Sequence, residues 1–314
     1  MWLKIANRAK MRIASVRLGE EIWFFGAWAR RSCPNLSNAS LISVIVTTYN
    51  WPKALSLTLQ SLAGQTDRLF EVIVADDGSG PATAEVIRAH ANSAPIPVVH
   101  IWQEDIGFRR STIINKAVAE AKGDYLIFVD GDCILQPDFV SRHRGLAEPN
   151  HLVTGSRILL GPKISEMLLA ESKWCYITFR RSVLWYRLTG EISKIAGLFI
   201  RLPTCRLRDY RSFVWRRIKG CNLACWKADA LAVGGFDESF LGWGSEDIDF
   251  VFRLQENGVV RRSGTWATEV LHIWHAPADS SRAEGNEKIV RDRIEASRRR
   301  GQGCSNTELS IELR

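Results

Sequence analysis

The feature that most constrains the fold is a regular alternation of apolar runs and helical segments between residues 41 and 130. The stretches LISVIVTT (41–48), FEVIVAD (70–76) and DYLIFVD (124–130) are rich in β-branched and other apolar residues. Such runs are typical of strands that are buried on both faces of a parallel sheet. Strands that alternate with helices are joined by right-handed crossovers. The sequence therefore predicts an α/β fold with a mostly parallel central sheet flanked by helices.

Pro, Gly and candidate capping residues set the limits of the other predicted elements. Further strands are predicted at 97–102, 151–160 and 266–276, and helices at 52–65, 81–91, 111–123 and 246–257. Ser111 and Ser245 are the candidate N-caps of the last two helices. The alternation becomes less regular after residue 160.

Polar residues follow three of the predicted strands at the point where each strand ends. They are Thr47 to Asn50 after the first strand, Asp76 to Ser79 after the second, and Asp130 to Asp132 after the strand at 124–130. Each group alone could be ordinary turn chemistry. Because ligands of open parallel sheets bind at the carboxyl ends of the strands, we expect the three groups to converge on one site.

Asp130 and Asp132 flank Gly131 at the end of an apolar strand. Two close carboxylates repel each other unless a cation lies between them and a ligand. Carboxylate oxygens suit Mg²⁺ or Mn²⁺, which proteins commonly hold together with substrate phosphates. Gly131 would permit a tight turn and a close approach of the ligand. The pair therefore predicts a divalent-metal site.

The segments SVIVTTYN, VIVADDGS and GDYLIFVDGDC together resemble the inverting family-2 glycosyltransferases of the GT-A fold, over about residues 41–155. The resemblance implies that the first two segments hold the nucleotide of a UDP-sugar and that the D-x-D holds the metal and the diphosphate. It implies nucleotide-sugar contacts for a set of side chains: Thr47, Tyr49, Asp77, Arg109 and Asp130, with Arg110 as an alternative to Arg109. It implies that Asp132 is a metal ligand and that Asp130 contacts either the ribose or the metal.

The segment GCNLACWKADALAVGGFDESFLGWGSEDIDFVFRL (220–254) is similar to the C-terminal segment of β-1,4-galactosyltransferases and bacterial chondroitin-polymerase-type enzymes. Its central motif is W-G-x-E-D, residues 243–247. An inverting transfer needs a base for the proton of the acceptor hydroxyl. The resemblance implies that Asp247 is this base, that Glu246 binds acceptor hydroxyls and that Trp243 stacks on a sugar ring.

The segment VLHIWHAP (270–277) supplies His272 and His275. In the related enzymes, a histidine after W-G-x-E-D completes the metal site. The position in the motif favours His272, and His275 is the alternative. An imidazole ligand favours Mn²⁺ over Mg²⁺ as the cofactor.

Basic charge is concentrated in residues 161–219, which contain thirteen Lys and Arg residues and four Asp and Glu residues and so carry a net charge of +9. The whole chain carries +8. Arg alternates here with Trp, Tyr and Phe, a composition that fits an anionic membrane surface. Nucleic acid or an ordinary surface helix pair would also fit. We favour the membrane, as the partner of an enzyme with a lipid-linked glycan acceptor, and expect no nucleic acid.

The apolar stretch 22–29 has only eight residues, fewer than the ~18–20 of a transmembrane helix. No cleavage-site pattern follows it. We therefore predict a basic amphipathic extension at 1–40. The seven cysteines are irregularly spaced, which favours reduced thiols and a cytoplasmic protein, peripheral on the inner face of the cytoplasmic membrane.

The predicted organisation is a GT-A domain at 41–279, followed by a charged C-terminal helix and tail at 280–314. Within the domain, 41–155 binds the nucleotide, 161–219 is a basic aromatic insertion and 220–279 binds the acceptor. The predicted reaction is metal-dependent, inverting transfer of a hexose, with galactose favoured, from a UDP-sugar to a surface-glycan hydroxyl.

Two alternatives remain: a nucleotidyltransferase on a related α/β fold, and a non-catalytic module, which belongs to another class. A nucleotidyltransferase would need a Gly- and Lys/Arg-rich phosphate loop after the first strand, which TTYNWPKA lacks. A non-catalytic membrane- or nucleic-acid-binding module would use the basic insertion and would not need W-G-x-E-D.

Overall fold

A computed structural model describes residues 39–277 and 279–299. The predicted extension at 1–40 lies outside this part except for its last two residues, as does the tail beyond 299. The strands are β1 Ile42–Thr48, β2 Phe70–Asp76, β3 Val98–Trp102, β4 Tyr125–Asp130, β5 Cys133–Leu135, β6 His151–Thr154, β7 Arg157–Leu159, β8 Asp209–Tyr210, β9 Asn222–Trp226, β10 Val260–Ser263 and β11 Val270–His272.

Eight of these strands form one sheet in the order β3-β2-β1-β4-β9-β6-β10-β8. Strands β3, β2, β1 and β4 run parallel, as the sequence predicts. Strand β9 is antiparallel to both of its neighbours, and β8 is antiparallel to β10. The sheet is thus mainly parallel, with antiparallel pairs in its second half.

Helices cover both faces of this sheet. They are α1 Pro52–Ala63, α2 Pro81–Ser93, α3 Arg110–Glu120, α4 Phe139–Leu146, α5 Pro162–Glu171, α6 Tyr176–Leu188, α7 Ala196–Phe199, α8 Lys227–Ala232, α9 Glu246–Glu256 and α10 Ala283–Arg299, with a 3₁₀ turn at Arg206–Arg208. Successive residues of β1 face opposite sides: Val44 and Val46 pack with α1 and α2, and Ile45 packs with α3 and α9. This double burial explains why the strand sequences are apolar at every position.

The remaining three strands form a small sheet in the order β5-β11-β7. Its register places His272 opposite Cys133 in β5 and opposite Leu159 in β7. Because Cys133 directly follows Asp132, this pairing brings the end of the β4 motif next to β11. Leu271 of the small sheet and Ile273, which follows β11, pack with side chains of α5 and α6.

Some predicted boundaries were wrong. The predicted strand 151–160 is divided into β6 and β7, and the strand at 266–276 is limited to β11. Ser111 lies inside α3 and its hydroxyl, which is buried, has no partner; Arg109 occupies the N-cap position. Ser245 occupies the N-cap position of α9, but it makes no capping hydrogen bond and has a positive φ of 71°.

The C-terminal helix α10 packs onto α9. Val290 and Ile294 are buried against Phe240 and Phe252, and Arg293 donates to Asp249 and Asp237. Among residues 39–277 and 279–299, we find no helix with the length and apolarity required to cross a membrane.

His143 in α4 makes the folded protein sensitive to acid. Its ring is fully buried, and Nε2 lies 3.2 Å from Asn222 Oδ1. Burial lowers the pKa of His143 to about 3, although the contact with Asn222 opposes this shift. In the unfolded chain the imidazole takes up a proton near its ordinary pKa of 6.5. Acid therefore favours the unfolded state between these two values.

We expect the free energy of unfolding to fall by up to about 1.4 kcal/mol per pH unit on this account, between pH 6.5 and about 3. Urea unfolding of wild type and His143→Gln over this range measures the effect. Gln can still donate to Asn222 and does not titrate. The unfolding free energy of the variant is therefore expected to fall less steeply with decreasing pH than that of wild type, by the contribution of about one proton. Equal slopes would show that His143 is not the group responsible.

Candidate active site

The ends of β1, β2 and β4 meet at one edge of the large sheet, and the polar residues that follow them converge there. Gly131 N donates to Thr47 O at 2.7 Å, and Asp77 N donates to Thr48 O at 3.0 Å. A Cβ added at Gly131 would lie 3.0 Å from Thr47 O. Any larger residue at 131 would therefore press on the adjacent strand.

The loop between β3 and α3 closes over the end of β2. Gly78 has a positive φ of 95°, and a Cβ placed there would lie 2.6 Å from Asp105 Cα. Tyr49, whose side chain is half-exposed, donates its hydroxyl to Asp105 Oδ2 at 2.9 Å. This hydrogen bond raises the pKa of Tyr49. Tyr49 and Asp77 thus both lie beside this loop, of which Asp105 forms part.

Asp77 is buried and its carboxylate is held by two donors. Gln103 Nε2 donates to Oδ1 at 2.6 Å, and Arg109 N donates to Oδ2 at 2.8 Å. Burial raises the pKa of Asp77, and these two hydrogen bonds oppose that rise. The Arg109 side chain donates to Glu104 O at 3.1 Å. Arg109 therefore contributes to this region mainly through its backbone.

Arg110 connects the two halves of the chain. Its guanidinium contacts Asp130 Oδ1 at 2.8 Å and Glu246 Oε1 at 3.2 Å. Asp130 also accepts a hydrogen bond from Thr47 Oγ1 at 2.8 Å. Burial disfavours the ionised form of Asp130, but Arg110 and Thr47 lower its pKa overall. Burial raises the pKa of Glu246, and Arg110 opposes this rise.

Asp247 lies beside this ion pair at the start of α9. Its Oδ2 accepts from Gly220 N at 2.7 Å and its Oδ1 accepts from Ile248 N at 2.8 Å. A Cβ added at Gly220 would lie 3.3 Å from both Arg110 Nη1 and Asp247 Cβ. Each carboxylate oxygen has a second lone pair for an incoming proton.

The W-G-x-E-D loop also touches the loop before α3. Gly242 N donates to Phe108 O at 3.5 Å, and the side chain of Trp243 is half-exposed. Ser245 adopts a left-handed conformation that is unusual for a residue with a side chain. Such local strain is often found at functional sites, where surrounding structure maintains it.

Asp132, His272 and His275 form a cluster in which the candidate ligand atoms all lie within 4.8 Å of one another. His275 Nε2 is 3.3 Å from Asp132 Oδ2, and His272 Nε2 is 3.7 Å from the same oxygen. Ile273 N donates to Asp132 O at 3.0 Å, which fixes β11 against the β4 motif. The hydrogen bond to Asp132 raises the pKa of His275.

One carboxylate and two imidazoles suit a transition-metal ion such as Mn²⁺ better than Mg²⁺, which prefers oxygen ligands. The donor set therefore fits the predicted cofactor. Asp130 lies at the same edge but its carboxylate binds Arg110 and Thr47.

Arg110 is the functional candidate that sequence reasoning underrated. The sequence offers Arg110 only as an alternative to its neighbour Arg109 in the stretch GFRR (107–110). Gln103, Asp105 and Gly220 were not predicted as site residues, although Gly220 begins the segment 220–254 that resembles the galactosyltransferases.

Comparison with known proteins agrees with this architecture. Solved structures with the same fold include GalNAc-T7 with UDP, GalNAc and Mn²⁺, with a TM-score of 0.57 at 16% identity over 87% of this chain and 53% of that one. The mannosyltransferase PcManGT from Pyrobaculum calidifontis, in complex with GDP-Man and Mn²⁺, gives 0.51 at 17% identity over 83% of this chain and 64% of that one. The fold is thus GT-A-like, as the sequence predicts.

Residues 43–213 match the family model described as glycosyl transferase family 2, and residues 204–275 match the one described as N-terminal domain of galactosyltransferase. The chain belongs to glycosyl transferase family 2. This result confirms the family predicted from the three strand-end motifs.

Curated relatives include two sugar-transferring or polysaccharide-forming enzymes. Validoxylamine A glucosyltransferase of Streptomyces hygroscopicus subsp. jinggangensis (strain 5008) is 32% identical over 75% of this chain and 57% of its own length. Chondroitin synthase of Escherichia coli is 29% identical over 71% of this chain and 33% of its own length. The chain thus spans little more than half of the first relative and a third of the second.

Proposed function

We propose that this protein transfers a hexose, with galactose favoured, from a UDP-sugar to a hydroxyl of a bacterial surface glycan or lipid-linked glycan, with inversion at the anomeric carbon. Two observations carry the proposal: Asp132, His272 and His275 cluster directly after β4, and Arg110 bridges Asp130, the last residue of β4, to Glu246 of W-G-x-E-D. The family supports glycosyl transfer over the nucleotidyltransferase alternative.

The donor would bind at the carboxyl ends of β1, β2 and β4. The exposed ring of Tyr49 offers a stacking surface for the base, and Asp77, held by Gln103 and Arg109, offers its remaining lone pairs to the nucleoside. The ion pair of Asp130 with Arg110 fixes its carboxylate beside Thr47, where it would contact the nucleotide sugar.

Asp132, His272 and His275 would hold Mn²⁺, which when bound supplies positive charge for the departing diphosphate. The acceptor would lie against Trp243, with Glu246 accepting hydrogen bonds from its hydroxyls. Asp247 would take the proton of the acceptor hydroxyl while the hydroxyl oxygen bonds to the anomeric carbon. The bond from that carbon to the diphosphate breaks in the same step. Nucleoside diphosphate leaves with both electrons of that bond.

Donor choice is tested by measuring nucleoside diphosphate release from a panel of sugar nucleotides with Mn²⁺ present. The panel contains UDP-galactose, UDP-N-acetylgalactosamine, UDP-glucuronic acid, UDP-glucose and GDP-mannose. We expect the highest kcat/KM with UDP-galactose and the lowest with GDP-mannose, because the base pocket is proposed for uracil. A preference for UDP-glucose would refute the choice of galactose but not the UDP-specific pocket. A preference for GDP-mannose would refute the UDP-specific pocket as well.

A further inference from the structure

The outward face of α6 has a pattern that the proposed active site does not use. Its exposed apolar residues recur at helical spacing and are Ile177 (64% exposed), Leu184 (62%), Trp185 (66%) and Leu188 (82%). Large apolar side chains with this exposure, grouped on one helix, indicate a surface that contacts something else.

The opposite face of α6 fixes the orientation of the helix. Phe179 and Val183 are buried with Leu168 of α5 and Leu198 of α7. The outward residues therefore project from a helix that is held in place, and they cannot turn inward without exposing Phe179 and Val183. We call the outward face, with its neighbouring arginines, the α6 surface: Ile177, Arg180, Arg181, Leu184, Trp185, Arg187 and Leu188.

Cations surround these apolar side chains. Arg180, Arg181 and Arg187 are exposed, and α6 contains no Asp or Glu. Among the ion pairs of residues 39–277 and 279–299, none involves these three arginines. The Arg180 guanidinium lies 5.2 Å from the centre of the Phe199 ring, so half-exposed Phe199 extends the apolar area.

We propose that the α6 surface binds the anionic surface of a lipid bilayer. Interfacial helices insert Trp and Leu at the level of the headgroups while Arg side chains contact anionic lipid. A protein partner would need acidic and apolar groups in one matching arrangement, whereas an anionic bilayer offers both over its whole area. This inference does not depend on the proposed donor or acceptor.

The position of α6 relates this surface to the site. The cluster that buries Phe179 and Val183 also contains Leu271 and Ile273, the two chain neighbours of His272. A bilayer-bound α6 would thus be attached to the same small sheet that carries the candidate metal ligands. This arrangement suits an acceptor carried on a lipid.

The test is co-sedimentation of the full chain with phosphatidylcholine vesicles, prepared with and without phosphatidylglycerol. We expect binding only with phosphatidylglycerol and weaker binding at high NaCl, because the arginine contacts are screened. Trp185→Glu and Leu188→Glu are each expected to reduce binding by about tenfold or more. The double variant Arg181→Gln/Arg187→Gln is expected to do the same by removing two cations.

Leu231→Glu is the matched control, since Leu231 is another exposed leucine, on α8, and is not part of the α6 surface. It should bind vesicles as wild type does. Thermal unfolding of every variant should match wild type, because the changed side chains face solvent. Undiminished vesicle binding by the α6 variants would overturn the proposal, because the chain would then contact the bilayer through another surface. Loss of self-association in Trp185→Glu without any effect on vesicles would identify a second copy as the occupant instead.

Discussion

Asp247→Asn is expected to lower the rate of sugar transfer by about 10²–10⁴-fold, the usual contribution of a general base. Both oxygens of Asp247 accept backbone N–H groups, from Gly220 and Ile248. Asn keeps the size of the side chain and can still accept from one of these groups, but it cannot take the proton of the acceptor hydroxyl. Affinity for the donor should remain near that of wild type, because Asp247 is proposed to contact only the acceptor.

The measurement combines steady-state transfer with calorimetric titration of UDP-sugar. Asp229→Asn is the matched control, since Asp229 lies in the first turn of α8 as Asp247 lies in the first turn of α9. It should transfer at the wild-type rate. Full transfer activity in Asp247→Asn would refute its role as the base, while loss of donor binding would indicate a structural role.

Asp132→Asn is expected to abolish Mn²⁺ binding and to lower the rate of sugar transfer by at least about 100-fold. This loss is at the upper end of that seen when a residue that only supports a metal ligand is changed. Asp132 supplies the one carboxylate in the group with His272 and His275. Asn preserves the shape of the side chain but removes the negative charge. Calorimetric titration with Mn²⁺ measures binding independently of activity.

Asp138→Asn serves as the control for this change, because Asp138 pairs with Arg142 and Arg201 rather than with the histidines. It should bind Mn²⁺ as wild type does. Wild-type Mn²⁺ affinity in Asp132→Asn would contradict the site.

The same titration distinguishes His272 from His275. His272 is buried in β11 between β5 and β7, whereas the side chain of His275 is 40% exposed beyond the strand. A ring held by the sheet is better oriented for a metal. We therefore expect His272→Ala to weaken Mn²⁺ binding more than His275→Ala does. The reverse order would make His275 the principal ligand.

Helices and parallel strands of the first half were predictable because their signals are local. Val44 to Val46 are apolar at successive positions since both faces of β1 are covered, and Pro52 and Pro81 mark the first turns of α1 and α2. The directions of strands β9 and β11 were harder to predict from the sequence. Their directions depend on partners far along the chain, β4 and β6 for β9, and β5 and β7 for β11.

The α/β class, the acidic motif at the end of β4 and the acidic start of α9 could be predicted without a structure, because each depends on residues close together in the chain. Which of these residues meet depends on how the strands pair in three dimensions. Arg110 lies between Asp130 and Glu246 because β9 inserts antiparallel beside β4 and places Gly220 next to α9. His272 and His275 reach Asp132 because β11 pairs with β5. Such pairings arise from the joint burial of distant strands, and no local pattern records them.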